Sequence, residues 1–561
     1  MKMNGGQALL QTLKANNIDV TFGLLGGSML ELFDAIYADD SVKYYGARDE
    51  RAAAHMADAY ARINGGPGIV LGAQAGPGVA NLVTGVTEAQ LAYSPLIAIA
   101  GMISRKHQGR DTFQEFDQVA LFKPICKKSI VVPEVARLPE MLNDAIRLAM
   151  SGRPGPVVLH VAHDIFSDEF ESGEISRISP VFTAAPGDTQ IGQMMDLLAA
   201  SSKPVIFAGS GFKSKQGSQV LRTLAETLNI PVVASTGHAD IMPHGHPLYA
   251  GQSGPRGNAV AGGLTRDADL ILALGNRLAF NSTFHSHDYI SADAKIIQVD
   301  IEARYIGRYF PVDLGIQADA VACAEAILSK IKQGKEWDSG WRAWRDQFET
   351  DLSSLSSQRM SEALDESQPL LPTRVLGEIR ESLPKNAICT IDTGNACLQA
   401  ADRLAHYQCP GLVTPLDFGL VGFAYAAALG AQVAAPDRPV VAVMGDGGFG
   451  FTMAEITSAG QHRLPVIAVV IDNGAWGAEK AYQSEFFGGR LLGADIESPN
   501  YAEVAKLCGA NGHFVDRPGG TAEALSTAIK SKRPAVIHVK VDPDAIQALR
   551  KDLFKPPKET S

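Results

Sequence analysis

The chain has 561 residues, too many for one core and enough for three or four domains of roughly 100–200 residues each. Its 46% hydrophobic and 20% charged residues make an ordinary globular composition, which excludes fibrous and disordered classes. A net charge of −11 argues against a nucleic-acid partner, whose phosphates call for a basic footprint, but says nothing against a small anionic substrate.

The first predicted element is a helix, GGQALLQTLKANN, with apolar residues at helical spacing. Val20 to Gly23 reads as a short strand, Gly26-Gly27-Ser28 as a turn into the helix MLELFDAIY, and Lys43 to Gly46 as a second strand. Ala47-Arg48-Asp49-Glu50 leads into an Ala-rich helix from Arg51 to Arg62. By itself Glu50 is an ordinary first-turn carboxylate, favoured by the helix dipole. Gly68 to Gly72 is a third strand, AGPGVANLVTGVTEAQ turns tightly into a helix, and Pro95 to Ala100 is a fully apolar fourth strand. This alternation predicts a parallel sheet covered by helices over residues 1–165.

Residues 167–188 are polar and Pro-containing and read as a linker. A second doubly wound pattern, residues 189–335, contains the apolar strands Pro204 to Ala208, Leu270 to Leu274 and Lys295 to Asp300. Gly209-Ser210-Gly211 invites a dinucleotide reading, although the spacing is not GxGxxG. A charged helical connector, Glu336 to Glu366, carries Trp337, Trp341 and Trp344 as packing anchors. The third domain, residues 367–545, opens with the strand Ala387 to Asp392.

Within it, VVAVM from Val440 reads as a buried strand ending in Gly445-Asp446-Gly447-Gly448. A helix follows from Thr452 to Gln461, then a strand from Pro465 to Ile471 that ends in Asp472-Asn473-Gly474. A carboxylate and a carboxamide thus reach the carboxyl ends of two parallel strands, where open α/β sheets bind ligands. Both are hard oxygen donors suited to an octahedral Mg²⁺ that also takes phosphate oxygens. The six cysteines show no metal-ligand or CxxC spacing. The start carries no long apolar segment and no stretch is apolar enough to span a membrane, so the expectation is a cytoplasmic enzyme without membrane or nucleic-acid partners.

GDG, twenty-four residues, then Asp-Asn resembles the signature of thiamin-diphosphate (ThDP) enzymes, with Asp472 standing where the family has the first Asn of an Asn-Asn pair. The resemblance implies that Asp446, Asn473 and the carbonyl of Ala475 hold the Mg²⁺ that anchors the diphosphate, with Gly445, Gly447 and Gly448 against the cofactor. Arg48-Asp49-Glu50 and the helix ending Ala59-Tyr60-Ala61-Arg62 are similar to the segment whose Glu contacts N1′ of the aminopyrimidine. Glu50 would favour the imino tautomer that removes the thiazolium C2 proton. Gly76-Pro77-Gly78-Val79-Ala80-Asn81 matches the family's GPG-x-x-N turn, which implies that Gly76 and Asn81 shape the pyrimidine pocket. The stretch from Asp417 to Ala431 resembles the turn and helix in which Gly419 accepts from the 4′-amino group and Val421 wedges under the thiazolium. Val421 is smaller than the usual Met, Leu or Ile; as an isolated residue it reads simply as core, and the flanking signatures favour the wedge.

The resemblance covers essentially the whole chain and implies an α/β fold of three doubly wound parallel-sheet domains: pyrimidine, middle and diphosphate. In relatives the middle domain binds flavin, a CoA or ADP moiety, or nothing. FAD is not the favoured occupant here, although Gly254-Pro255-Arg256-Gly257 stands where flavin-binding relatives have a comparable loop. Because the family places its cofactor between subunits, a homodimer or homotetramer is implied.

Two branches of the family compete for the reaction. Gly109-Arg110-Asp111-Thr112-Phe113-Gln114-Glu115 resembles the acetolactate-synthase branch, where the Phe and Gln face the reacting carbon, implying that role for Phe113 and Gln114. The nearby Arg105, Lys106, His107 and Arg110 form an anion site or a solvated loop. Trp476-Gly-Ala-Glu-Lys480, the following Gln483, Phe486-Phe487 and Arg490 look like the sulfoacetaldehyde acetyltransferase branch, as does the stretch Leu549 to Lys555. That branch converts a small anionic carbonyl substrate, sulfoacetaldehyde, and inorganic phosphate to acetyl phosphate and sulfite by way of an acetyl group carried on the cofactor. Lys480 and Arg490 are then the candidates for holding sulfonate and phosphate, against a reading as surface cations. The alternatives are a 2-oxoacid decarboxylase or carboligase like acetolactate synthase, and a non-catalytic ThDP-binding regulator, which would have no use for Glu50.

Overall fold

The computed structural model describes residues 2–179, 181–332 and 340–548. Trp337 and the stretch Leu549 to Lys555 lie outside the described residues. The chain divides into two compact units. One contains residues 1–181 with 417–437 and 452–466; the other contains 182–416, 438–451 and 467–561. Among the described residues there are three six-stranded parallel sheets, as the sequence predicts. No helix among the described residues is long and apolar enough to cross a membrane.

In the first unit the strands are Val20–Leu24, Lys43–Gly46, Gly68–Gly72, Leu96–Met102, Lys128–Val131 and Val157–Ala162. They lie in the spatial order second, first, third, fourth, sixth, fifth. Gly68–Gly72 and Val157–Ala162 are buried throughout, because helices cover both faces of a parallel sheet and leave no polar side. The Ala-rich helix Glu50–Asn64 packs against a second Ala-rich helix, Ala424–Ala434. Small side chains let the two backbones come close: a Cβ on Gly430 would lie 1.8 Å from the Met56 carbonyl oxygen. At its far end the first helix carries Arg62, mostly covered and shared by the buried Asp58 (2.6 Å) and Glu88 (2.9 Å), so the buried acids have a cationic partner.

Residues 167–188 are not wholly a linker. Glu169–Glu171 pairs antiparallel with Lys2–Asn4, setting Phe170 opposite the buried Met3. Three residues are too few to show a period of two, which leaves this strand without a local signal.

The second unit holds the other two sheets. One contains Pro204–Ala208, Val232–Ala234, Tyr249–Gln252, Leu270–Leu274, Lys295–Asp300 and Leu314–Gln317, in the order third, second, first, fourth, fifth, sixth. The other contains Ile388–Ile391, Leu412–Val413, Val440–Gly445, Ile467–Asp472, Asn511–Val515 and Ala535–Lys540, and repeats the order of the first unit's sheet. The connector is the helix Arg342–Ala363, and its two described tryptophans anchor it as expected. Trp341 Nε1 donates to the Ser201 carbonyl at 3.0 Å, and Trp344 Nε1 to the Pro204 carbonyl at 3.1 Å. The buried Asp240 then ties the two sheets of this unit together by accepting from the backbone N–H groups of Gly411 (2.8 Å) and Leu412 (3.0 Å).

Candidate active site

In both the first and the last sheet the strand order reverses between the first and third strands, the place where open sheets bind ligands. The sequence-predicted residues lie in both units, with Asp446 and Asn473 at the ends of the third and fourth strands of the last sheet.

In the first unit Glu50 opens its helix and is only 4% exposed. Asn81 Nδ2 donates to its Oε2 at 3.0 Å, which brings the GPG-x-x-N turn against the carboxyl. Oε1 lies beside Gly78, where a Cβ would come within 2.7 Å of it; only glycine leaves that oxygen room. Gly76 has φ +76° and would drive a Cβ to 2.8 Å from Gln114 Cβ, which leaves glycine as the fitting residue. Gln114 is joined to the site through Gln74, whose Nε2 donates to Gln114 Oε1 at 2.7 Å and whose Oε1 accepts from Gly27 N at 2.9 Å. Ser28 Oγ accepts from Ala75 N at 3.1 Å, closing the ends of two adjacent strands onto each other.

Phe113, next to Gln114, is 84% exposed. Of the neighbouring cations, Arg105 is held by Asp164 (2.8 Å) and Asp168, while Lys106, His107 and Arg110 stand in solvent. Gly419 and Gly422 adopt φ +81° and +84°, and Val421 between them is half-buried. Two residues on, the buried Phe423 packs edge-on against His55 of the Glu50 helix, ring centres 5.1 Å apart.

In the second unit Val440–Gly445 and Ile467–Asp472 are paired neighbours with Gly445 opposite Ile471. This register brings Asp446 and Asn473 to the same sheet edge. Asp446 is 1% exposed and begins the helix Asp446–Gly450, with Gly445, Gly447 and Gly448 around it. Burial pushes its carboxyl up to about 6; a hydrogen bond from Ser498 opposes the rise and the charge of Asp472 adds to it. A Cβ on Gly447 would lie 2.6 Å from the Trp476 ring, and one on Gly477 2.7 Å from Asn473 Nδ2, so both turns are packed to the backbone. Asn473 Oδ1 accepts from Ala475 N at 3.3 Å, which fixes its side chain over the loop. Ala475 itself bridges to Asp495.

A divalent cation fits these residues. Asp446 is a buried carboxylate whose ionisation is penalised by burial and by a second acid, the circumstance a bound cation relieves. Among the described residues no group of three or more His, Cys, Asp or Glu side chains could hold a metal, so a cation here would use carboxylate, carboxamide and carbonyl oxygens together, a hard donor set.

Lys480 lies on the following helix, Gly477–Phe486, with its ammonium 2.9 Å from Asp495 Oδ1. Arg490 is exposed. Sequence reading missed Gln74, Ser498, Tyr501 and His538. His538 was the most legible of them, a polar residue inside the apolar strand Ala535–Lys540 and only 3% exposed. Ser498 and Tyr501 sit in no recognisable motif.

Three family models match the chain. The thiamine pyrophosphate enzyme N-terminal TPP binding domain matches residues 3–121, the central domain 191–327 and the C-terminal TPP binding domain 392–539. Sulfoacetaldehyde acetyltransferase of Alcaligenes xylosoxydans xylosoxydans is 32% identical over 590 aligned positions, covering 99% of this chain and 96% of the relative. A probable acetolactate synthase large subunit of Methanococcus aeolicus is 30% identical, covering 97% and 93%. The acetolactate synthase isozyme 2 large subunit of Escherichia coli (strain K12) is 29% identical, covering 96% of each chain. With domain matches at both cofactor-binding ends and relatives along its full length, this chain belongs to the thiamine pyrophosphate enzyme family and is an enzyme of it.

Proposed function

We propose that the protein is a Mg²⁺- and ThDP-dependent acetyltransferase that converts sulfoacetaldehyde and inorganic phosphate to acetyl phosphate and sulfite. The observation that carries this reading is the full-length similarity to sulfoacetaldehyde acetyltransferases, together with the Trp476-to-Lys480 segment beside Asn473. In this reaction the C–S bond of the substrate breaks, sulfite leaves with the bonding pair, the aldehyde carbon becomes the acyl carbon, and a phosphate oxygen takes the acetyl group. ThDP, when bound, supplies the carbon nucleophile and the electron sink.

The chain's own residues have these proposed roles. Asp446, Asn473 and the Ala475 carbonyl would hold Mg²⁺, and Gly447 and Gly448 would give the diphosphate access to the backbone. Asn81 holds Glu50 by its Oε2, which leaves Oε1 to exchange a proton with the aminopyrimidine ring nitrogen. Gly76 and Gln74 hold Gln114, and Gln114 with the adjacent Phe113 would face the substrate carbon. Gly419 would accept from the aminopyrimidine and Val421 would support the thiazolium. Lys480 and Arg490 would hold the sulfonate and phosphate charges, Lys480 by exchanging its Asp495 contact for an anion. The family arrangement across subunits is part of the proposal and makes the working enzyme a homodimer or homotetramer.

The second reading is acetolactate-synthase-like decarboxylation and carboligation of a 2-oxoacid, favoured by the Gly109-to-Glu115 segment and by the acetolactate synthase relatives. Purified protein with Mg²⁺ and ThDP separates the two. Phosphate-dependent release of sulfite from sulfoacetaldehyde, with acetyl phosphate in equal amount, is the expected result. CO₂ from pyruvate without sulfite release would overturn the first reading in favour of the second.

A further inference from the structure

The sequence departs from the ThDP signature at Asp472, and the structure gives that departure a physical reason. Asp472 ends the strand Ile467–Asp472 and is buried beside the strand Ala535–Lys540, in register with Lys540. Three donors converge on its carboxylate. Gly474 N donates to Oδ1 at 2.8 Å, Lys540 Nζ reaches the same oxygen at 3.1 Å, and His538 Nε2 lies 2.7 Å from Oδ2. The other ring nitrogen of His538, Nδ1, accepts from the backbone N–H of Tyr501 at 3.2 Å. A nitrogen that accepts carries no proton, so the proton of the neutral ring is on Nε2 and points at Asp472.

An asparagine at 472 would not reproduce these three contacts. It offers one oxygen and one NH₂ group. With the oxygen toward Gly474 and Lys540, the NH₂ meets the Nε2–H of His538; turned over, it meets Gly474 N–H and Lys540. Moving the histidine proton to Nδ1 only shifts the conflict to Tyr501 N–H. Each arrangement sets donor against donor in a buried place. Aspartate at 472 and histidine at 538 therefore go together.

The circuit runs on to Asp446. Tyr501, whose N–H fixes the histidine, donates its hydroxyl to the Asp446 carbonyl at 2.9 Å, and its ring packs edge-on against Phe449 at 5.0 Å. Three residues earlier Ser498 Oγ donates to Asp446 Oδ2 at 2.8 Å. One hydrogen-bonded chain thus joins the end of strand Val440–Gly445 to the end of strand Ile467–Asp472, and with it Asp446 to the loop that carries Asn473 and Ala475.

We propose that Ser498, Tyr501, His538 and Asp472 are positioning residues that fix the Asp446 carboxylate and the Asn473 loop as one preorganised cation site. The proposal rests on the reading of Asp446 and Asn473 as the Mg²⁺-holding pair. Groups outside a ligand set orient the ligands and are felt in metal affinity.

The test is titration of the full chain with Mn²⁺ in the presence of ThDP, followed by electron paramagnetic resonance of the free ion. Unfolding midpoints of the metal-free proteins check that each variant is folded. Ser498→Ala and Tyr501→Phe should each weaken Mn²⁺ affinity roughly 10- to 100-fold, while Ser498→Thr, which keeps the hydroxyl, stays near wild type. Asp472→Asn and His538→Ala should weaken it too, and the double variant should be less impaired than the product of the single effects, since each alone breaks the same chain. Wild-type affinity in Ser498→Ala and Tyr501→Phe, or multiplying effects at 472 and 538, would overturn the circuit. A wild-type protein that takes up no Mn²⁺ would instead overturn the underlying cation site. Should Ser498→Ala not fold, Tyr501→Phe and Ser498→Thr carry the comparison.

Discussion

The backbone N–H of Arg48 donates to Glu455 Oε1 at 2.9 Å, and the Arg48 side chain continues to Thr457 Oγ1 (3.0 Å) and Gln461 Oε1 (2.7 Å). The helix Glu455–Gln461 thereby grips the turn that leads into Glu50 two residues later. Burial pushes the Glu455 carboxyl above its ordinary range. Glu455→Ala leaves the Arg48 N–H without its acceptor and should cost about 1–3 kcal/mol, read as a lower unfolding midpoint. Glu455→Gln keeps an acceptor oxygen and should cost less. Equal loss in both variants would show that the charge, not the hydrogen bond, matters.

Glu50→Gln keeps the shape of the carboxyl and its capacity to accept from Asn81 but cannot exchange a proton in the same way. Turnover should fall roughly 10²- to 10⁴-fold, the usual range for a positioned acid or base. Binding of Mg²⁺ and ThDP, followed by tryptophan fluorescence, should remain measurable. An unchanged rate would remove Glu50 from the chemistry.

Gly76→Ala meets two obstacles, a left-handed backbone and the close approach of Gln114. The backbone term costs about 1–2 kcal/mol for an L-residue. Gly152→Ala is the control, with φ +55° and nothing within 4 Å of the new Cβ. Both variants should be less stable, but only Gly76→Ala should also lose turnover by displacing Gln114 and Phe113. Equal activity in the two would separate Gln114 from the reaction.

The Asp446 carboxyl, raised from 3.8 to about 6, sets a pH dependence. Between those values the metal-free folded protein holds a proton that the unfolded chain has lost. This group's contribution to metal-free stability is therefore full below 3.8 and declines as pH rises toward 6. A cation needs the carboxylate and displaces that proton. The stabilisation conferred by Mg²⁺ with ThDP should consequently grow as pH rises through about 6, measured as the difference in unfolding midpoint with and without ligands. A difference independent of pH across this window would contradict Asp446 as a ligand.

Lys480→Ala should raise the KM for the anionic substrate or for phosphate several-fold while leaving ThDP affinity unchanged, and Asp495→Asn, which frees the ammonium, should lower it. Both effects should shrink at high salt because Asp495 is solvent-exposed. A Lys480→Ala enzyme with unaltered KM for both would make this pair a surface ion pair only.

The sequence by itself determined the layered α/β architecture, because fully apolar strands alternating with helices can be buried only in parallel sheets covered on both faces. It also pointed to Asp446 and Asn473, which stand beside glycines at the ends of two apolar strands, whereas Glu50 and Asn81 stood out only through the resemblance of their segments to the family. The strand pairing of Lys2–Asn4 with Glu169–Glu171 was illegible because its partners are far apart and each is three residues long. The same holds for the residues that support the site. Gln74 reaches Gln114 across forty positions, Ser498 reaches Asp446 across fifty-two, and His538 reaches Asp472 across sixty-six. Local sequence encodes hydrophobic period and turn chemistry, which act over a few residues. Which donor meets which acceptor across a sheet depends on strand order and register, and only the folded chain decides those.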